Sequence, residues 1–255
     1  MIRNCTYLLL FILLAGCQKV SSDDLRNERP VLTGVMRSNV QGESIEFFTL
    51  NEEFAGPPMA RSASVKILGA SQEVELTANN FSYALPADFI LLPDSTYRVV
   101  VSDDAAEGEI KSEFSMPPTI SLISSIANPV QISSPGSVAG LISWTPLDES
   151  KYSYILKLEP LDIIPAPIPG NVGLFESRYN GPQLSPQLLL LKSDFAYYGT
   201  HRLTVLAIDR GFDALFFYDA ADMRGQLKNG PSNVLGAAGF VAGVTGFETE
   251  IVILE

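Results

Sequence analysis

The chain has 255 residues, 29 of them acidic and 17 basic, with one histidine, two cysteines and a formal charge of −12. So acidic a body repels nucleic acid and anionic lipid headgroups, which disfavours both as partners. One histidine cannot supply the ligand set of an ordinary zinc or copper site.

The first residues read as an export signal. Arg3 supplies a positive charge, Tyr7 to Leu14 form a short apolar run, and the small residues Ala15 and Gly16 precede Cys17. That run is too short to span a bilayer comfortably, and its flanks are those of a cleaved secretory signal. Leu14-Ala15-Gly16-Cys17 resembles the bacterial lipobox. The resemblance implies a signal peptide over 1–16, cleavage before Cys17 and acylation of that cysteine. Each buried methylene contributes about 0.8 kcal/mol, so one chain holds marginally and two or three hold stably. Cys5 lies in the removed segment, which leaves Cys17 alone and blocked. The exported chain, now at −13 without Arg3, would then have no internal disulfide and must rest on core burial. Residues 17–30 are polar, end at Pro30 and read as a lipidated flexible tether. Their opening, Gln18 to Asp24, is similar to the acidic export signals of some Bacteroidetes surface lipoproteins. No later apolar stretch is long enough to cross a bilayer, so lipid is the one membrane attachment visible in the sequence; the resemblances imply the outer membrane, with either face open.

From Val31 the texture is β. The runs Val31–Met36, Ser44–Leu50, Ala63–Leu68, Glu73–Thr77, Phe81–Leu85, Tyr97–Val101 and Glu109–Phe114 alternate apolar with polar or are bounded by turn residues. Period-two alternation predicts half-buried strands, and the turn spacing predicts an immunoglobulin-like sandwich over 31–116. Met116-Pro117-Pro118 marks a boundary, because proline cannot extend a ladder.

The second part, 117–255, opens with Leu141–Pro146 and Tyr152–Leu158 and continues at Tyr198–Asp209. Trp144, the strand bearing Tyr152 and Tyr154, and the late strand with Leu203 and Val205 resemble a fibronectin type III sandwich. Between them Pro160, Pro165, Pro167 and Pro169 make a stiff, exposed insertion. Residues 185–196 fit a strand or a short helix. Asp213 to Leu227 has a helical look around Ala220–Met223, and Gly236 to Leu254 closes in a strong strand. The fold class expected is mostly β, two immunoglobulin-like or fibronectin type III-like antiparallel sandwiches.

The order of parts resembles an uncharacterised Bacteroidetes outer-membrane lipoprotein family, a domain of unknown function often encoded beside TonB-dependent receptors. The matching pieces are Leu14–Cys17, the strands from Val65 to Phe114, Ser115–Pro118, and Ser232-Asn233-Val234 with the glycine-rich run to Phe240. Ala237-Ala238 departs from the bulkier aromatic pattern of that closing segment. The resemblance implies an accessory role in TonB-dependent uptake, with the receptor as a partner, and brings no catalytic residue.

Individual residues add little chemistry. His201 is the sole imidazole and reads as a structural or surface residue, which leaves a nucleophile without its usual base. Asp103-Asp104 with Glu107, and Asp209 with Asp213, Asp219 and Asp222, lack the spacing of a calcium loop. Gly236, Gly239, Gly243 and Gly246 read as close packing or bulges at the sandwich edge; no lysine-serine pair completes a phosphate loop. Tyr197-Tyr198 and Phe212 with Phe216-Phe217-Tyr218 fall near strand ends, where such sandwiches bind and aromatic faces could stack on sugars or a peptide, but core packing is the use expected of most of them. No cofactor and no metal is expected. The leading expectation is a non-catalytic, lipid-anchored binding module. The alternatives are a structural or adhesive surface protein and a glycoside hydrolase working through a carboxylate pair.

Overall fold

The structure, a computed structural model, describes residues 28–41, 43–51, 59–60, 62–69, 72–103, 108–131, 138–170, 179–216 and 232–255. Among the described residues its regular elements are strands apart from two short 3-10 helices, Lys192–Asp194 and Arg210–Phe216. The first half contributes β1 (Glu28–Arg37), β2 (Ser44–Asn51), β3 (Met59–Ala60), β4 (Ser64–Leu68), β5 (Glu73–Glu75), β6 (Thr77–Asn79), β7 (Ser82–Ala84), β8 (Thr96–Ser102) and β9 (Ile110–Ser115). The second contributes β10 (Leu122–Ser124), β11 (Val130–Gln131), β12 (Val138–Trp144), β13 (Tyr152–Pro160), β14 (Tyr179–Gln183), β15 (Gln187–Leu191) and β16 (Gly199–Asp209). The chain then closes with β17 (Val234–Leu235) and the 17-residue β18 (Ala238–Leu254). Among the described residues no helix is long and apolar enough to cross a membrane.

Alternation in the sequence becomes alternation in space. In β8 Tyr97, Val99 and Val101 are buried, while Arg98 points outward and pairs with its register partner Glu113 at 3.2 Å. Tyr97 and Phe114, opposite each other in β8 and β9, stack with ring centroids 5.7 Å apart. The run read as one strand at Glu73–Thr77 divides in two. Leu76 turns into the core and gives its N–H to Val65 O, so that β5 joins β4 in one sheet and β6 joins β7 in the other.

Two cores result. The first contains Leu32, Phe47, Tyr83, Val99 and Phe114, and the second is centred on Trp144. Trp144 meets Tyr154 edge to face at 5.4 Å and tilts against Phe247 at 6.5 Å. The Tyr154 hydroxyl accepts from Leu147 N–H at 2.7 Å, which satisfies the phenol at the core boundary. In the second half the three-stranded sheet β10-β12-β15 faces β14-β13-β16-β18, a sandwich as expected from Trp144 and the tyrosines.

Chain order and layer order part company at the end. β17 pairs with β9, and β18 from Ala238 to Val244 runs parallel to β1 from Val31 to Arg37. The same strand continues from Val244 to Ile253 antiparallel to β16. Residues 232–244, grouped by sequence with the second part, thus complete the sheets of the first. Val241 belongs to the first core, and Ile251 and Ile253 to the second. Between them Thr245 donates to Pro118 O at 2.8 Å, beside the Met-Pro-Pro junction. β1 itself begins at Glu28, inside the segment read as tether. Residues 185–196, open between strand and helix, form β15 followed by a single 3-10 turn, Lys192–Asp194.

Candidate interaction site

The proline-rich insertion after β13 is a fixed loop. Its prolines hold φ and remove N–H groups, so it makes no more than an isolated bridge, yet two of its amides and one carbonyl are tied down. Leu161 N–H donates to Thr200 O at 2.8 Å, Ile168 N–H to Ala196 O at 2.7 Å, and Tyr198 N–H to Ala166 O at 2.8 Å. Pro167 bridges Tyr197, and Ile168 is buried in the second core. Between these fastenings Ile163 and Ile164 stand 99% and 90% exposed. Burial of an isoleucine is worth about 1.5–3 kcal/mol, and here two lie side by side with their backbone already ordered.

The loop's position follows from β18. Pro160 pairs with His201, and His201 with Ile251, near the C-terminal end of that strand. Glu28 precedes Val31, which pairs with Ala238 at the strand's beginning. The fifteen residue-to-residue steps from Ala238 to Ile253 at 3.2–3.4 Å each put roughly 50 Å of strand between the loop and the place where residue 28 joins the fold.

Under the loop lie buried polar groups. His201 is fully buried, edge to face with Phe195 at 5.3 Å, its Nδ1 3.4 Å from Gly199 O, as a structural residue would be. Asp194 is 2% exposed and accepts from Leu191 N–H at 2.7 Å, closing the turn after β15. Burial pushes its carboxyl above the ordinary range, and the Leu191 N–H partly opposes this. A carboxyl more easily protonated folded than unfolded stabilises the fold at low pH and loses that contribution as pH rises through its folded-state pKa. Asp194→Asn keeps an acceptor for Leu191 and removes the charge. The melting temperature of the wild type relative to this variant is therefore expected to fall as pH is raised from 4 to 7. A constant difference over that range in parallel thermal melts defeats the assignment.

Four of the other singled-out side chains serve the fold. Tyr198 is half-buried against the second core, and Phe212 packs on Ile155, Leu206 and Val244. Asp209 accepts from Gly211 N–H at 2.7 Å, and Asp213 accepts from Ser153 Oγ. A Cβ at Gly239, Gly243 or Gly246 would fall 2.2, 2.5 or 2.3 Å from a backbone oxygen, the close packing read from sequence. Cys17, Asp104, Glu107, Phe217, Tyr218, Asp219, Asp222 and the helical look at Ala220–Met223 lie outside the described residues. Among the described residues no three of His, Cys, Asp and Glu converge on a metal-sized space. Three surface depressions measure about 240, 230 and 310 Å³, at or below the small end of ligand pockets. The pair Ile163-Ile164 escaped the sequence reading, which looked to aromatics. Two adjacent isoleucines inside a proline-bounded insertion were the available signal.

No known protein family and no curated protein matches the chain. Among solved structures it is similar to the three N-terminal domains of the bacteriophage RB49 highly immunogenic outer capsid protein, at 9% identity and TM-score 0.27, over 89% of this chain and 70% of that one. A two-domain fibronectin type III segment of chicken tenascin aligns at 13% identity and TM-score 0.20, over 84% and 95%. A biofilm-associated protein's BSP domain aligns at 12% identity and TM-score 0.24, over 90% of this chain, which spans only 30% of that one. Superpositions this loose say nothing about what the chain binds.

Proposed function

We propose that the chain is a non-catalytic, lipid-anchored surface module that offers the Ile163-Ile164 loop to a protein partner at the outer membrane. The observation that carries this is a pair of bare isoleucines on a loop fastened by backbone hydrogen bonds at the pole away from residue 28. A tether from Cys17 would lead to one end of the rod, and the loop would face outward from the other. Isoleucines without neighbouring aromatic or basic side chains in the loop suit an apolar pocket on a protein better than a headgroup layer. The resemblance of Leu14–Cys17 and Ser232–Phe240 to the outer-membrane lipoprotein family makes a TonB-dependent receptor the partner to look for.

The test is recovery of that receptor from detergent-solubilised membranes, with the wild type and with Ile163→Ser/Ile164→Ser. Loss of two isoleucine contacts is expected to weaken capture on the order of a hundredfold, with an unchanged melting temperature because both side chains are exposed. Recovery of the wild-type chain alone, or equal capture by the variant, ends the proposal. Mass spectrometry of the mature N-terminus tests the anchor separately, and an unmodified Cys17 thiol would remove it.

A further inference from the structure

Charge is spread over two of the three sheets and missing from the third. Cross-strand ion pairs decorate the others, such as Arg98–Glu113 and Lys66–Glu73 on one and Arg202–Glu248 on the second. The strands β10, β12 and β15 read LIS, VAGLISW and QLLLL, without one Asp, Glu, Lys or Arg. Charge resumes only beyond them, at Asp148 and Lys192. The inner face of this sheet fills the second core with Ile142, Trp144 and Leu190. Its outer face leaves Val138, Leu141 and Leu189 54%, 46% and 53% exposed. Leu141 and Leu189 are register partners, side by side across β12 and β15. The polar groups beside them are neutral: Ser124 and Ser143 share a hydrogen bond at 2.7 Å, and Gln187 faces Ser143. Both β10 and β15 are edges among the described residues, and neither carries the charged or proline side chains that normally protect an edge.

The missing charge identifies the occupant. A body of net charge −12 repels a second copy of itself over most of its surface. That repulsion is least where a face bears no charge, whereas a basic partner would gain by docking on the acidic surface elsewhere. We infer that two copies of the chain stack on this sheet about a two-fold axis, Leu141 and Leu189 of one against the same residues of the other. Three strands about 4.8 Å apart and some five residues long give a flat patch of roughly 14 by 17 Å. That is well under the roughly 800 Å² per partner of a stable dimer, so the pair is weak in dilute solution. Confinement of both copies to one membrane raises their effective concentration and populates it. This confinement rests on the anchor proposed above.

The experiment uses the full chain in its membranes, with Leu189→Cys and a short bis-maleimide. A cross-linked species of twice the chain mass is expected from Leu189→Cys and not from Ser102→Cys, an exposed position on β8. Adding Leu141→Asp should cut the cross-link tenfold or more while Trp144 fluorescence stays native. No dimer above the Ser102→Cys level, or a product of another mass, overturns the inference. Labelling of the unsubstituted chain would expose a free Cys17 and sink the anchor instead. In that event sedimentation of Cys17→Ser at near-millimolar concentration decides: a dimer lost with Leu141→Asp upholds the stacking, and a monomer overturns it.

Discussion

Asn233→Ala is expected to lower unfolding stability by about 3 kcal/mol, read as a fall in the urea midpoint at constant slope. Asn233 stands in for a strand. Its Oδ1 accepts from Val241 N–H at 2.9 Å, and its Nδ2 donates to Val241 O at 2.8 Å and to Glu113 O at 2.6 Å. One side chain therefore satisfies both backbone groups of a residue on β18 and ties that strand to β9 in the opposite sheet. Alanine leaves three backbone groups without their partner, and each buried group so abandoned costs about 1–3 kcal/mol, discounted where water can reach it. Asn233→Asp should be at least as damaging at neutral pH, since a carboxylate keeps the acceptor, loses both donors and faces two carbonyl oxygens. Acidification should recover part of that loss as the protonated acid regains a donor. Asn128 makes a lesser version of the clamp, donating to Glu250 O at 3.3 Å and accepting from Val252 N–H at 2.8 Å in a more exposed setting. Asn128→Ala is expected to cost about 1 kcal/mol. Equal losses from the two alanine variants would mean that Asn233 does not join the sheets.

Much of this architecture was legible because its signals are local. Alternation in Tyr97–Val101 and Ser64–Leu68 specified strands and their buried faces, and Trp144 with Tyr154 pointed to the second core. The partner of the last strand was not legible. Gly236–Leu254 reads as β wherever it sits, and its pairing with Val31–Arg37 joins segments some two hundred positions apart through rungs that leave no local mark. A separation of 120 positions hid the use of Ser232-Asn233-Val234, visible as a motif but meaningless without Glu113. Leu76 misled because one buried residue in an alternating run reads the same whether the strand continues or changes sheets. At the candidate site, prolines announced the stiff insertion from Pro160 to Pro169, while the fastenings to Ala196, Tyr198 and Thr200 depended on a segment some thirty to forty residues on. The aromatics drew attention there because they are large, and the fold spends Tyr198 and Phe212 on packing.

Gly239→Ala is expected to cost more than 3 kcal/mol, and its effect should be visible from the other half of the molecule. The residue sits at φ +112°, and an added Cβ would lie 2.2 Å from Leu32 O, a backbone atom of the paired strand that cannot swing aside. Gly108 separates the two causes: its φ is +119°, but none of the described residues lies within 4 Å of a built Cβ. Gly108→Ala should therefore show the backbone strain alone, about 1–3 kcal/mol, and the excess at Gly239 measures the clash. Trp144 is the chain's single tryptophan and lies in the second core, so its fluorescence reports on the half that Gly239 does not touch. β18 gives Val241 to one core and Ile251 and Ile253 to the other, with the Thr245–Pro118 hydrogen bond between. To free its first seven residues from β1 while the rest stays paired to β16, the strand would have to bare Val241 and lose the rungs from Ala238 to Val244. That opening leaves the first core without one wall, so the two halves should melt together. Trp144 emission and far-ultraviolet circular dichroism should shift by the same amount in Gly239→Ala. A Trp144 transition left at its wild-type midpoint while the dichroism splits in two would show that the shared strand does not couple the halves.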